Sequence, residues 1–351
     1  MPSRFLEVDD FVKVISGVAN RIPLIDTRSE AEFLHACIPG AVNLPLLPNE
    51  DRKIVGTIYK QQGHDAAVIK GFELTGPRFH QILSESLKKF PEKELLMYCW
   101  RGGMRSGIMS WLHETTGFKV TLLKGGYKAF RRWVNDVFEK PRQVLVLGGH
   151  TGSGKTEVLH QLKLLGEQVI DLEALANHKG SAFGSLGKSG QPSHEQFENL
   201  LALEWANLNP DKPVWLENES RAIGSCIIPE MIFNQIRTAP VIEMNIGFDR
   251  RLERIRKEYA CFPVEVLKNT TLKIKKRLGP QHLKAAIECL DQADFDGWLQ
   301  IVMVYYDKLY EHGTLQRKPG TVHTIDLSAT EETMIAGEII RFVNSGKLAV
   351  S

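Results

Sequence analysis

Residues 143–156 of the 351-residue chain read QVLVLGGHTGSGKT, an apolar run followed by a glycine-rich loop. From Gly149 onward the loop matches the pattern GxxxxGK[ST], and it stands after a predicted strand and before a predicted helix, as that motif requires. The glycines let backbone N–H groups converge on a diphosphate, whose charge Lys155 neutralises, while the Thr156 hydroxyl can bind Mg²⁺. The pattern leaves open whether the diphosphate belongs to a nucleotide. The predicted diphosphate ligands are Gly149, Thr151, Gly152, Ser153, Gly154, Lys155 and Thr156.

Strands and helices alternate on both sides of this loop. Apolar runs predict strands at residues 143–147, 168–170, 213–216, 240–245 and 321–325. Such alternation predicts an α/β fold with a parallel sheet, whose ligands bind at the carboxyl ends of the strands. Polar residues at or just after these ends are therefore candidate bases or supporting ligands, the alternative being an ordinary polar loop. They are Asp171, Glu217, Glu219 and Arg221.

A second loop, CWRGGMRS at residues 99–106, presents a cysteine between a predicted strand at 95–98 and a predicted helix at 106–114. Backbone N–H groups, the helix N-terminus and the side chains of Arg101 and Arg105 should surround the Cys99 thiol. We therefore expect Cys99 to be a thiolate and a nucleophile. The same ring could hold a second anionic atom on the sulfur, or an incoming oxyanion. The alternative is that Cys99 is a small buried apolar residue.

Length and composition indicate two domains, and the segment EKPRQ at 139–143 looks like the linker between residues 1–138 and 142–351. The five cysteines are scattered and form no CxxC pair, so neither a disulfide framework nor a zinc site is expected. The N-terminus lacks the apolar core of a secretory signal, and no apolar run is as long as a membrane span. We expect a cytoplasmic protein without a membrane partner.

The net charge is only +2, but residues 250–277 contain ten Lys and Arg against three Glu. A basic surface on a nearly neutral protein can attract nucleic acid through counterion release. The alternative is a solvated helix face. The candidate RNA contacts are Arg250, Arg251, Arg254, Lys273, Lys275, Lys276 and Arg277.

Four segments resemble a rhodanese domain, in which the loop cysteine carries transferable sulfur: IDTRSEAEF (25–33), IPGAVNLP (38–45), YCWRGGMRS (98–106) and LKGGYKAF (123–130). The cysteine loop has one residue more than the common rhodanese loop, and in this it also resembles rhodanese-fold phosphatases and arsenate reductases. A rhodanese domain followed by a P-loop domain resembles the bacterial tRNA 2-selenouridine synthase family over essentially the whole chain. The P-loop segments that carry this resemblance are DLEALANHKGSAFG (171–184), QPSHEQFENLL (191–201) and WLENESRAIG (215–224).

The resemblance implies that wobble 2-thiouridine in tRNA is first S-geranylated with geranyl diphosphate and then converted to 2-selenouridine with selenophosphate. Cys99 would carry selenium as a perselenide, Arg101 and Arg105 would hold the oxyanion, and the P-loop would hold the prenyl diphosphate. No tightly bound cofactor is implied, although Mg²⁺ can bind at Thr156. The implied partners are tRNA and the enzyme that makes selenophosphate. The alternatives are an ATP-dependent tRNA sulfurtransferase, or a rhodanese-fold phosphatase attached to a nucleotide-binding module.

Overall fold

A computed structural model describes residues 4–17 and 22–346 of the chain. It divides the chain into two compact units. The first unit comprises Met1–Phe138 together with Ser193–Asn207, and the second comprises Glu139–Pro192 together with Leu208–Ser351. The sequence analysis assigns residues 193–207 to the second domain, whereas the structure packs them into the first unit.

The secondary structure alternates along most of the chain. The strands are β1 Arg4–Leu6, β2 Leu24–Asp26, β3 Val42–Asn43, β4 Glu94–Tyr98, β5 Lys119–Leu123, β6 Val144–Gly149, β7 Gln168–Val169, β8 Val214–Glu217, β9 Ala222–Ile223, β10 Cys226–Ile227, β11 Val241–Asn245 and β12 Val322–Asp326. The helices are α1 Val8–Ser16, α2 Glu30–His35, α3 Asn49–Gln62, α4 His64–Thr75, α5 Phe79–Lys89, α6 Met104–Glu114, α7 Gly126–Phe138, α8 Lys155–Leu164, α9 Leu172–Ala176, α10 His194–Ala206, α11 Glu230–Thr238, α12 Phe248–Tyr259, α13 Val264–Lys273, α14 Lys275–Leu278, α15 Pro280–Asp291, α16 Phe295–Leu315 and α17 Ile335–Asn344. Short 3₁₀ helices occupy Gly76–Arg78 and Glu332–Met334.

The first unit is built on a parallel sheet with the strand order β1-β5-β4-β2-β3. Its central strands are continuous apolar runs, as expected of strands that are covered on both faces. In β4, for example, Leu95 through Tyr98 are all buried. Because parallel strands end at a common edge, the cysteine loop that follows β4 lies at the carboxyl edge of this sheet.

Helix α10 belongs to the first unit because polar contacts join it to α7. Ser193 caps the helix by accepting a hydrogen bond from the Gln196 N–H at 3.0 Å. The buried Asn199 side chain donates to the Tyr127 hydroxyl at 2.8 Å and accepts from Arg131 at 2.6 Å. The α10 side chains of Phe197, Leu201 and Trp205 are also buried, but an apolar stripe alone does not specify which unit a helix packs against.

The second unit contains the predicted parallel sheet, with the strand order β12-β11-β6-β8-β7. This confirms the α/β fold. A block of helices, α12 to α16, stands between β11 and β12 and was not predicted. It has its own core, in which Trp298 packs edge-on against Phe183 at a ring distance of 5.7 Å. Among the helices of residues 4–17 and 22–346, none is long and apolar enough to cross a membrane.

Candidate active-site loops

The Cys99 loop joins the end of β4 to the start of α6. The Cys99 side chain is only 3% exposed, and its Sγ accepts hydrogen bonds from the Gly103 N–H at 3.3 Å and from the Ser106 hydroxyl at 3.2 Å. Both donors lie at the N-terminus of α6, where the helix dipole also favours negative charge. The structure thus places one loop amide, one hydroxyl and the N-terminus of α6 at the thiol sulfur.

The turn before α7 supports the cysteine loop from behind. Gly126 has a φ of +59°, and a side chain at this position would overlap the carbonyl oxygen of Cys99 and the amide of Gly102. The Tyr127 N–H then donates to the Cys99 carbonyl at 2.8 Å. Glycine is required at position 126 because only a residue without Cβ allows the two segments to approach so closely.

The two loop arginines have different environments. Arg101 is exposed, whereas Arg105 forms a two-pronged ion pair with Glu32, with N···O distances of 2.7 and 3.3 Å. Burial raises the pKa of Glu32, but hydrogen bonding and charge attraction from Arg105, together with the Ser29 N–H and Arg52, outweigh burial and lower that pKa to about 2. Arg105 therefore has a carboxylate partner that the sequence analysis missed. The available signal was the capping box, in which Glu32 stands three residues after Ser29.

In the second unit the glycine loop leads from β6 into α8, with Gly152 and Gly154 at φ values of +80° and +83°. The Lys155 ammonium donates to the Gly149 carbonyl at 2.9 Å and lies 3.6 Å from a carboxylate oxygen of Glu217. The Ser153 hydroxyl is buried and finds no hydrogen-bond partner in the described ranges. Loop, lysine and helix N-terminus have the arrangement that cradles a diphosphate.

Three carboxylates gather next to Lys155. Oxygens of Glu173, Glu217 and Glu219 all lie within 4.8 Å of one another. Burial, with repulsion from Glu217, raises the pKa of Glu173 to about 9 and that of Glu219 to about 8. Burial, with repulsion from Asp171 and Glu157, also raises the pKa of Glu217. The Glu217 Oε2 atom is buried and has no hydrogen-bond partner in the part of the chain that the structure describes. Crowded oxygens of this kind suit a divalent cation such as Mg²⁺.

The other two candidates of this region have different surroundings. Asp171 caps α9 by accepting from the Ala174 N–H at 2.8 Å, and its charge also contributes to the raised pKa of Glu217. Arg221 is exposed and lies 3.5 Å from Glu230. The structure thus brings Glu217 and Glu219 to Lys155. It adds Glu173, which the sequence analysis did not single out although it stands two residues after Asp171.

A tyrosine from α16 reaches the same loop. The Gly149 N–H donates to the Tyr310 hydroxyl at 2.7 Å, and that hydroxyl donates to Glu243 at 2.5 Å. The Asn218 amide also donates to Tyr310, at 3.1 Å. One amide of the diphosphate loop is therefore satisfied by the protein itself. No sequence signal links Tyr310 to this loop, because more than 150 residues separate them.

Arg250 and Arg251, near the start of α12, bind acceptors within the second unit. Arg250 donates to the carbonyls of Leu327, Ser328 and Thr330. Arg251 is 6% exposed, pairs with Asp307 at 2.8 Å and donates to a loop carbonyl. These contacts correct the assignment of Arg250 and Arg251 to an RNA-binding face, because their guanidinium groups are already occupied by protein acceptors.

Arg254 also braces the loop, since it donates to the Gly152 carbonyl at 2.9 Å and pairs with Glu332. The remaining basic residues of the predicted RNA face lie at the end of α13 and on α14, and their side chains are exposed. They are Lys273, Lys275, Lys276 and Arg277.

Comparison with known proteins agrees with this two-loop architecture. Residues 9–132 match the family model of the rhodanese-like domain, and residues 142–270 match that of the tRNA 2-selenouridine synthase AAA domain. The chain is 36% identical to a tRNA 2-selenouridine synthase of Hydrogenovibrio crunogenus, over 88% of this chain and 93% of the relative. It is 35% identical to one of Nitrosomonas europaea, over 84% and 90% respectively. The chain therefore belongs to the tRNA 2-selenouridine synthase family of tRNA-modifying enzymes.

Proposed function

We propose that this protein converts wobble 2-thiouridine in tRNA to 2-selenouridine in two stages, using geranyl diphosphate first and selenophosphate second. The observation that carries the proposal is the presence of two anion-binding loops in separate units, one with a thiol and one with a lysine. Two stages make chemical sense because a thiocarbonyl sulfur is a poor leaving group, whereas an S-alkylated sulfur departs as a thiol.

In the first stage the thiocarbonyl sulfur attacks C1 of the geranyl group, and the C–O bond to the diphosphate breaks. Lys155 and the loop amides support this step because they stabilise the charge that develops on the departing diphosphate. The α12 arginines act indirectly by holding the loop carbonyls in place, as the Arg251 contact with Thr151 illustrates.

Mg²⁺ fits the same site. The Thr156 hydroxyl, together with Glu217 and its two carboxylate neighbours, would hold the ion. This assignment is supported by the Glu217 Oε2 atom, which has no hydrogen-bond partner among residues 4–17 and 22–346. When bound, Mg²⁺ would neutralise diphosphate charge. Lys155 already offsets part of the negative charge of Glu217 from 3.6 Å.

In the second stage selenium forms a bond to C2 of the base and geranylthiol leaves. Water then releases phosphate from selenium, so the exchange consumes no oxidant. We assign to Cys99 the displacement of geranylthiol, because its sulfur is held by two hydrogen-bond donors at a helix N-terminus. The Cys99 sulfur bonds to C2 as the bond between C2 and the geranylthio group breaks. The selenium of selenophosphate then bonds to C2 as the bond between C2 and Cys99 breaks, which restores the thiol. Arg101, which is exposed next to this thiol, is suited to hold the oxyanion of the selenium donor.

The test is to replace Cys99 by serine in the full chain and to analyse tRNA nucleosides by mass spectrometry. We expect selenouridine to disappear and S-geranyl-2-thiouridine to accumulate, because only the second stage needs the thiol. Cys261→Ser is the matched control, since Cys261 is an exposed cysteine of the second unit. If the folded Cys99→Ser protein forms neither nucleoside, the proposed division of labour between the loops is wrong. ATP turnover coupled to the reaction would instead favour a sulfurtransferase.

A further inference from the structure

A cavity of about 710 Å³ lies in the first unit beside the cysteine loop. This volume falls within the range of about 300–1,000 Å³ that is typical of small-molecule and cofactor sites. Its wall combines the Trp100 indole with basic side chains from α3 and the β2–α2 region, and it also includes the carboxylates of Glu32, Glu50 and Glu195. The residues that matter here are Arg28, Glu32, Arg52, Lys53, Lys60 and Trp100.

Trp100 directly follows Cys99, and its indole is 39% exposed. The backbone of Trp100 is fixed because its carbonyl accepts a hydrogen bond from the Lys128 N–H at 2.9 Å. Its ring lies 5.7 Å from the Tyr127 ring and 6.0 Å from the Arg28 guanidinium. An indole that is supported on one side and open on the other is a stacking platform for a planar ligand.

Helix α3 forms the cationic side of the cavity. Lys53 and Lys60 are exposed and line it, and between them Gly56 leaves open space, since a Cβ at that position would meet no atom within 4 Å. Arg52 is anchored by its ion pair with Glu32 at 3.3 Å, and Glu32 in turn holds Arg105 of the cysteine loop. The cavity wall is therefore tied directly to the loop that carries the thiol.

We propose that this cavity receives an unpaired pyrimidine of an RNA loop, with the base stacked on Trp100 and its flanking phosphates on Lys53 and Lys60. The inference rests on the proposed function and deepens it, because it names the residues that would present the wobble base to Cys99. A base in a single-stranded loop is extruded at little cost, and stacking on an aromatic side chain together with phosphate contacts is the usual way proteins hold it. Trp100 thus acts as a positioning residue.

The kinetic test uses full-length protein and tRNA that already carries S-geranyl-2-thiouridine, so that only selenation is measured. Loss of one stacking platform should raise KM of Trp100→Ala by roughly fivefold to a hundredfold, whereas Trp100→Phe should recover most of the affinity. Trp111→Ala is the matched control, because Trp111 is a 57% exposed tryptophan of the same unit outside the cavity wall. An unchanged KM in a folded Trp100→Ala protein would overturn the proposal.

A second measurement does not depend on a variant that folds. An anticodon stem-loop with 5-iodouridine at the wobble position should crosslink under long-wavelength ultraviolet light to Trp100 of the parent protein, as peptide mapping would show. A crosslink to a residue outside the cavity would refute the base site. If the parent protein binds and crosslinks the RNA at Trp100 but makes no selenouridine, the proposed function fails while the base site stands.

Discussion

Replacing Glu32 by glutamine should destabilise the first unit, because it removes the charge that Arg105 binds. Burial raises the pKa of Glu32, but Arg105, with help from the Ser29 N–H and Arg52, lowers it from an ordinary value of 4.5 to about 2. At 1.36 kcal/mol for each tenfold change in proton affinity, this gap corresponds to about 3 kcal/mol at neutral pH. Both side chains are mostly shielded from water, at 15% and 20% exposure, so solvent screening removes little of it.

The stability lost in Glu32→Gln should depend on pH in a defined direction. A carboxyl whose pKa is lowered on folding contributes its full stability above pH 4.5 and loses it as the pH falls through about 2. The difference in unfolding free energy between the parent and Glu32→Gln should therefore be largest near pH 7 and shrink below pH 4.5. Glu85→Gln, at an exposed position of α5, is the control and should show no such difference.

The assay must report on the first unit alone, because the two units need not unfold together. Urea-dependent hydrogen exchange of β4, read by mass spectrometry, meets this need since β4 lies in the centre of its sheet. A Glu32→Gln protein as stable as the parent at pH 7 would refute the ion-pair argument. A difference that stays constant from pH 7 to pH 2 would show that the loss comes from packing.

Three further predictions concern the second unit. Lys155→Ala should slow geranylation, because the transition state loses about 3 kcal/mol of stabilisation, and supplying pre-geranylated tRNA should restore selenation. Lys163→Ala, on the exposed side of α8, is the control, and an equal loss of rate in that variant would contradict the role of Lys155. Mg²⁺ should raise the melting temperature of the parent more than that of Glu219→Gln, and an equal rise would exclude Glu219 as a ligand. Neutralising the exposed basic residues of α13 and α14 should flatten the plot of log tRNA affinity against log salt concentration by about 0.7 to 0.9 in slope for each lost phosphate contact. An unchanged slope would show that these residues are only a solvated helix face. That variant replaces by glutamine Lys273, Lys275, Lys276 and Arg277.

Much of this architecture could be predicted from short stretches of sequence. The predicted strand at residues 95–98 lies within β4, and the predicted strand at residues 240–245 covers all of β11. Both loops lie between a strand and a helix as predicted. These features are local, because a glycine loop, an apolar run or a capping box fixes the conformation of neighbouring residues without help from distant ones.

The partners of the site residues could be known only from the tertiary structure. Glu32 reaches Arg105 across 73 residues, and Tyr310 reaches Gly149 across 161. Charge counting placed Arg251 on an RNA face, but the fold buries it against Asp307, since a count of charges says nothing about which side of a helix meets the core. The sequence by itself determined the two loops and the α/β fold that presents them. The tertiary structure decided which charges face each other, because those pairs depend on how segments distant in sequence pack together.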